Sequence, residues 1–185
     1  MPRANICEKR GSLVNDIDSV LRTIDGAAAV ICCTGPYQSH SLTLLRGCIE
    51  KKVHYVDVAD DRNFVIRCHQ LESDIQNAGI MAFVGCSVVP GTTTLMTKYA
   101  QDEIGQPVRT SICITPGTRH PRGIGSFRCL LDTVGEEYVV DNEFEPRSVQ
   151  GWTEREEIHF PEPLGRRWVY SIVDIADYYT QPTAL

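Results

Sequence analysis

Apolar positions along the first hundred residues alternate between helical and strand-like patterns. Ile17, Val20, Leu21 and Ile24 fall at i, i+3, i+4 and i+7, which predicts a helix over Asp16–Gly26. Asp16 can cap its start and Gly26 can end it. The run Ala27-Ala28-Ala29-Val30-Ile31-Cys32-Cys33 shows no alternation and reads as a strand covered on both faces, stopped by the turn Thr34-Gly35-Pro36-Tyr37. A second helix follows over about Ser39–Lys51, with Leu42, Leu45, Cys48 and Ile49 on one face. Val53–Val58 is rich in β-branched and aromatic residues and reads as a strand. The third helix turns Phe64, Cys68, Leu71, Ile75 and Ala78 inward and ends at Gly79. Ile80–Val84 is the next strand, followed by the segment Gly85–Gly91 and a helix from about Thr92 to Ile104.

This strand–helix–strand–helix–strand order, with short connections, predicts parallel strands joined by right-handed crossovers. Beyond Pro107 the pattern changes. Val108–Ile114 and Trp168–Ile175 read as strands, and the stretch between them is rich in Gly, Pro and charge. The chain is therefore read as α/β: a parallel sheet over residues 1–106, then part of a second, α+β unit over 107–185. Gly123-Ile124-Gly125-Ser126-Phe127-Arg128 looks like the start of a dinucleotide fingerprint, but it lacks the third glycine and is not expected to open a helix.

Composition narrows the class. With 42% hydrophobic and 23% charged residues, a chain of 185 residues can bury a core of its own. A net charge of −6 argues against nonspecific binding to nucleic acid or to an anionic membrane. No apolar run approaches a membrane span, and Met1–Asn5 leads into no secretory apolar segment, so a cytoplasmic protein is expected. The eight cysteines form no C-x-x-C pair, and no N-x-S/T sequon occurs. They read as buried free thiols of a reducing compartment, with no disulfide at Cys32 or Cys33. The five histidines lack ligand-like spacing, so no metal site is expected.

In an open parallel sheet, ligands bind outside the carboxyl ends of the strands. The loops Thr34–Tyr37, Ala59–Asp61 and Gly85–Gly91 all leave those ends. Gly35 permits close approach to the backbone, and Tyr37 can stack on a flat ring or donate a hydrogen bond. Asp57 and Asp60 can accept hydrogen bonds from sugar or amide groups. Structural roles compete: Thr34-Gly35-Pro36 as a plain turn, and Asp60 or Asp61 as a helix cap. Gly85-Cys86-Ser87-Val88-Val89 is no nucleophile elbow, because Val89 stands where glycine is required, and Cys86 reads as a buried structural thiol. Arg119-His120-Pro121-Arg122 reads as a solvated basic loop.

The segments Cys32-Cys33-Thr34-Gly35-Pro36-Tyr37, Gly47-Cys48-Ile49-Glu50 and His54-Tyr55-Val56-Asp57-Val58-Ala59-Asp60 together resemble the saccharopine dehydrogenase-like family. Ala78-Gly79-Ile80, Gly85-Cys86 and Pro90-Gly91 extend the resemblance, which covers roughly Asp16 to Ala100. It implies a partial NAD(P)-binding Rossmann-like domain, followed by part of a substrate and dimerisation domain. It also implies NADP or NAD as cofactor, a small amino-acid-derived imine or secondary amine as substrate, and a homodimer as the assembly. By the same resemblance Gly35, Pro36, Tyr37 and Asp57 lie beside the nicotinamide, with Thr34, Ala59 and Asp60 as neighbours. The family's glycine-rich strand–turn–helix, which holds the pyrophosphate, has no counterpart before Asp16. Weak binding of NAD(P)H by this polypeptide is expected, and a fragment or a non-catalytic remnant acting through protein contact is the rival reading.

Overall fold

The computed structural model describes residues 16–105, 110–115, 123–142, 145–171 and 175–184. The first unit alternates α1 (Ile17–Ile24), β1 (Ala29–Cys32), α2 (Thr43–Lys51), β2 (His54–Asp57), α3 (Arg62–His69), α4 (Glu72–Ala78), β3 (Ala82–Phe83) and α5 (Thr93–Ile104). The three strands form one sheet in the order β1-β2-β3, and both pairings are parallel, as the element order predicts. Ala29 faces His54 and Cys32 faces Asp57 in register, so the carboxyl ends of β1 and β2 are level.

Local chemistry explains the boundaries. The Asp16 carboxylate accepts the Asp18 N–H and opens α1. The Asp61 carboxylate accepts the Phe64 N–H at 2.7 Å and opens α3, so the capping role falls to Asp61. Gly79 ends α4 in the left-handed conformation expected of a C-terminal glycine. The third predicted helix is divided: the Leu71 N–H bonds to Cys68 O, one residue short of α-helical spacing, before α4 resumes. The second predicted helix starts later than Ser39, because Tyr37–Ser39 forms a separate 3-10 turn.

One core serves this unit. Val20 and Ile24 of α1, Leu44, Leu45 and Cys48 of α2, and Phe64, Val65 and Cys68 of α3 pack with Cys32 and Tyr55 of the sheet. At Gly47 the helices α1 and α2 meet so closely that a Cβ would stand 2.5 Å from Val20 Cγ1. The opposite face of the sheet carries Ile31, Met81 and Phe83, of which Ile31 is 71% and Phe83 54% exposed. The expectation that the first strand is covered on both faces is therefore corrected. Among the described residues the core helices cover one face, and Ile31 alternates outward while Cys32 points in.

The second part differs from its prediction. No strand forms over the described residues 110–115, and 106–109 lie outside the described residues. Gly123 caps a helix, α6 (Ile124–Asp132), so the expectation of no helix there is also corrected. β4 (Glu137–Asn142) and β5 (Glu145–Gln150) form one antiparallel pair, and β6 (Arg155–Phe160) and β7 (Gly165–Tyr170) another. The strand expected over Trp168–Ile175 thus begins earlier and ends at Tyr170. The tight connection between Phe160 and Gly165 sets that register. Charged side chains on both faces of β6 had hidden its strand pattern. Ile175 then bridges Asp61, and α7 (Asp177–Ala184) packs on α3 and α5, with Ala176 in the first core. The basic segment Arg119–Arg122 lies outside the described residues.

Candidate functional site

The parallel register brings the loops after β1, β2 and β3 to one edge, where hydrogen bonds tie them together. The Tyr37 hydroxyl donates to Cys32 O at 2.8 Å and accepts the Val58 N–H at 3.4 Å, joining the first loop to the second. Asp57 Oδ1 accepts the Ala59 N–H at 3.0 Å and the Gly85 N–H at 2.8 Å, joining the second to the third. The Asp57 carbonyl accepts the Cys86 N–H at 2.8 Å. Gly85 has φ +76°, and a Cβ there would meet Pro90 Cγ at 2.8 Å, so the third loop folds back on itself only with glycine at this point. A wide turn over Val88–Thr92 leads from it into α5.

These bonds divide the residues singled out from sequence into two sets. Tyr37, Asp57 and Ala59 are buried. The Tyr37 ring packs against His40 and Phe64, with centroids 5.1 and 5.2 Å away, so it is a core ring. Thr34 and Gly35 are exposed, and Pro36 and Asp60 are half-buried. The Gly35–Pro36 peptide is cis. At this edge Thr34, Gly35, Pro36 and Asp60 are open to solvent in whole or in part, while Tyr37, Asp57 and Ala59 lie buried and tie the loops together.

Burial governs the ionisable groups. It raises Tyr37 above the ordinary phenol range, helped by the nearby Cys32. It lowers His40. Burial also raises Asp60, and Asp61 beside it acts in the same direction. Cys86 is exposed, which corrects the reading of a buried thiol, yet its pKa is raised by partial desolvation and by Asp57. It therefore lacks the electropositive surroundings of an activated nucleophile. Cys33 is also exposed, so burial does not extend to every cysteine.

Two contributions escaped the sequence reading. Cys33 and Cys86 open to solvent on this edge, and β-alternation at the end of β1 was the available signal for Cys33. The C-terminal segment also buttresses the site: Ala176 N–H donates to Asp60 O at 3.0 Å. In the same segment Asp177 Oδ1 accepts the Thr93 hydroxyl at 2.6 Å, and that hydroxyl also lies 3.0 Å from Pro90 O. No local sequence pattern announces contacts between residues so far apart. The edge offers backbone groups and one half-buried carboxyl, a set suited to orienting a small polar molecule. Compared with models of known protein families and with curated proteins, the chain matches none.

Proposed function

We propose that the chain carries the nicotinamide side of a Rossmann-like cofactor site in an NAD(P)-dependent oxidoreductase resembling the saccharopine dehydrogenase-like family. The reaction is hydride transfer on an amino-acid-derived imine or secondary amine. One observation carries this reading: three βα loops of a parallel sheet are cross-tied at the carboxyl edge, where such sheets bind ligands. Thr34, Gly35, Pro36 and Asp60 form the contact surface, and Tyr37, Asp57 and Ala59 fix its shape. The edge contributes chiefly orientation, because burial holds Asp60 toward its uncharged form and partial desolvation does the same for the exposed Cys86.

A second reading rests on a separate observation. Among the described residues, the sheet face with Ile31, Met81 and Phe83 is exposed, which suits a non-catalytic role through protein contact.

Titration of the 185-residue polypeptide with NADPH and NADH, followed by backbone amide shifts, separates the two. The oxidoreductase reading expects weak binding, with a Kd above about 100 μM, and shifts confined to Thr34–Tyr37, Ala59–Asp61 and Gly85–Gly91. An edge unmoved by millimolar cofactor would overturn it and favour protein contact.

A further inference from the structure

The Asp57 side chain is 0% exposed and lies in the core of the first unit, and its two carboxyl oxygens are used unequally. Oδ1 accepts both the Ala59 and the Gly85 N–H, while Oδ2 is buried and accepts no hydrogen bond among the described residues. An ionised carboxylate spreads its charge over both oxygens, so a bare Oδ2 in an apolar core would be costly. A neutral carboxylic acid costs less here: its carbonyl oxygen offers two lone pairs for the two N–H donors, and its other oxygen carries the proton, which leaves an unpaired O–H but no buried charge.

The groups around Asp57 supply no compensating cation. From β2 comes the Tyr55 phenol, and from the first loop Tyr37 and His40. From α3 comes Cys68, and from the third loop Cys86. Burial lowers the pKa of His40, which keeps its ring neutral at neutral pH. The Arg67 guanidinium is turned to His40 O at 3.0 Å and to the Phe64 ring.

We propose that Asp57 is a positioning residue held as a neutral carboxylic acid, clamping the loops after β2 and β3 through Oδ1 with its proton on Oδ2. Desolvation, the largest influence on this group, raises its pKa in agreement, against the smaller opposing effects of the two N–H bonds, the nearby Tyr55 hydroxyl and His40. The protonation rests on the geometry and not on any ligand. Its consequence for the site rests on the oxidoreductase reading: a neutral acid places no buried anion beneath the edge that an anionic nucleotide would approach.

The sign of the linkage follows. The unfolded chain releases this proton near the ordinary value of 3.8, and the folded chain retains it to higher pH. Asp57's contribution to stability is therefore full below about 3.8, falls as pH rises toward the folded pKa, and is level above it.

The experiment measures urea unfolding of the full chain from pH 4 to pH 8 for wild type, Asp57→Asn and Asp57→Ala. Asn keeps the carbonyl acceptor and is neutral. Its folding constant at pH 7 is expected within tenfold of wild type or higher, with part of the wild-type decline above pH 4 removed. Asp57→Ala, which orphans two N–H groups, is expected to lose more than tenfold at every pH. Infrared spectra at pH 7 add a readout independent of stability: a protonated-carboxyl carbonyl band in wild type, absent in Asp57→Asn and retained in Asp60→Asn. Failure of Asp57→Asn to fold, a loss equal to that of Asp57→Ala, or no Asp57-dependent band would overturn the proposal.

Discussion

The parallel-sheet unit and the two antiparallel pairs differ in composition and in burial: β1–β3 are mostly apolar, and β4–β7 carry many charged residues. In the first, Val20, Leu45, Tyr55, Phe64 and Val65 are enclosed in one cluster. In the second, only Tyr138 and Val149 form a buried apolar cluster among the described residues, and Trp168 is 55% exposed. The difference lies in what covers each sheet. A βα alternation returns the chain across the sheet at every step and lays an amphipathic helix on it. A hairpin satisfies its backbone hydrogen bonds with its own neighbour and covers nothing, and two strands alone are marginally stable in water. Local polar links accompany the hairpins: Arg147 makes a two-pronged ion pair with Glu154 at 2.5 and 2.6 Å, and the Arg155 guanidinium lies 4.7 Å from the Trp168 ring centroid.

The sharpest way to break this comparison is to truncate one aromatic ring in each region. Phe64→Ala is expected to cost about 3–5 kcal/mol by leaving a cavity among α3, Tyr37 and the sheet, and Trp168→Ala less than about 1 kcal/mol. Urea unfolding at neutral pH checks both. Equal losses would mean that Trp168 is covered as deeply as Phe64.

Alkaline pH gives the next largest contrast. Burial, with a smaller contribution from Cys32, pushes the Cys48 thiol up to about 12, and burial and then Asp57 do the same for Cys68. Unfolded thiols ionise near 9, so the stability these residues contribute is intact below pH 9 and declines between about 9 and 12. The slope is up to about 1.4 kcal/mol per pH unit per thiol. Thermal melts followed by circular dichroism from pH 7 to pH 11 should show the parallel-sheet transition falling above pH 9, with the fall reduced in Cys48→Ala. At neutral pH, timed alkylation with mass spectrometry should label Cys33 and Cys86 well before Cys48 and Cys68. Simultaneous labelling would contradict the burial assigned to the latter pair.

Tyr37→Phe gives the smallest effect and sharpens the picture of the edge. The ring packing against His40 and Phe64 is retained, and the hydroxyl bridge between Cys32 O and the Val58 N–H is lost. A loss of about 1–2 kcal/mol is expected, with hydrogen exchange accelerated at Val58 more than at Tyr55. Unchanged exchange at Val58 would show that the hydroxyl does not join the two loops.

The legibility of the chain follows the same division. Where apolar residues repeat at helical spacing, as at Val20, Ile24, Leu45, Cys48, Phe64 and Cys68, the sequence identifies both the element and the face it buries, because those contacts lie within the βα repeat. The same reasoning places Thr34, Gly35, Pro36 and Asp60 on one edge, since parallel strands leave no other position for their loops. It fails at β6, where Arg155, Glu156 and Glu157 break the alternation and pairing with β7 supplies the strand. It also fails at Ile31, whose apolar side chain says nothing about whether a second layer covers it.

By itself, then, the sequence determined the alternation of strands and helices, their parallel order, and the shared edge of three loops. All of these follow from the hydrophobic period and from the short reach of each connection. Only the tertiary structure decided that Tyr37 and Asp57 face inward as cross-ties, that Cys33 and Cys86 face outward, and that Ala176 and the start of α7 return to brace Asp60 and Thr93. Those outcomes depend on contacts between residues distant along the chain, whose free energies arise from burial and hydrogen-bond satisfaction that no local pattern encodes.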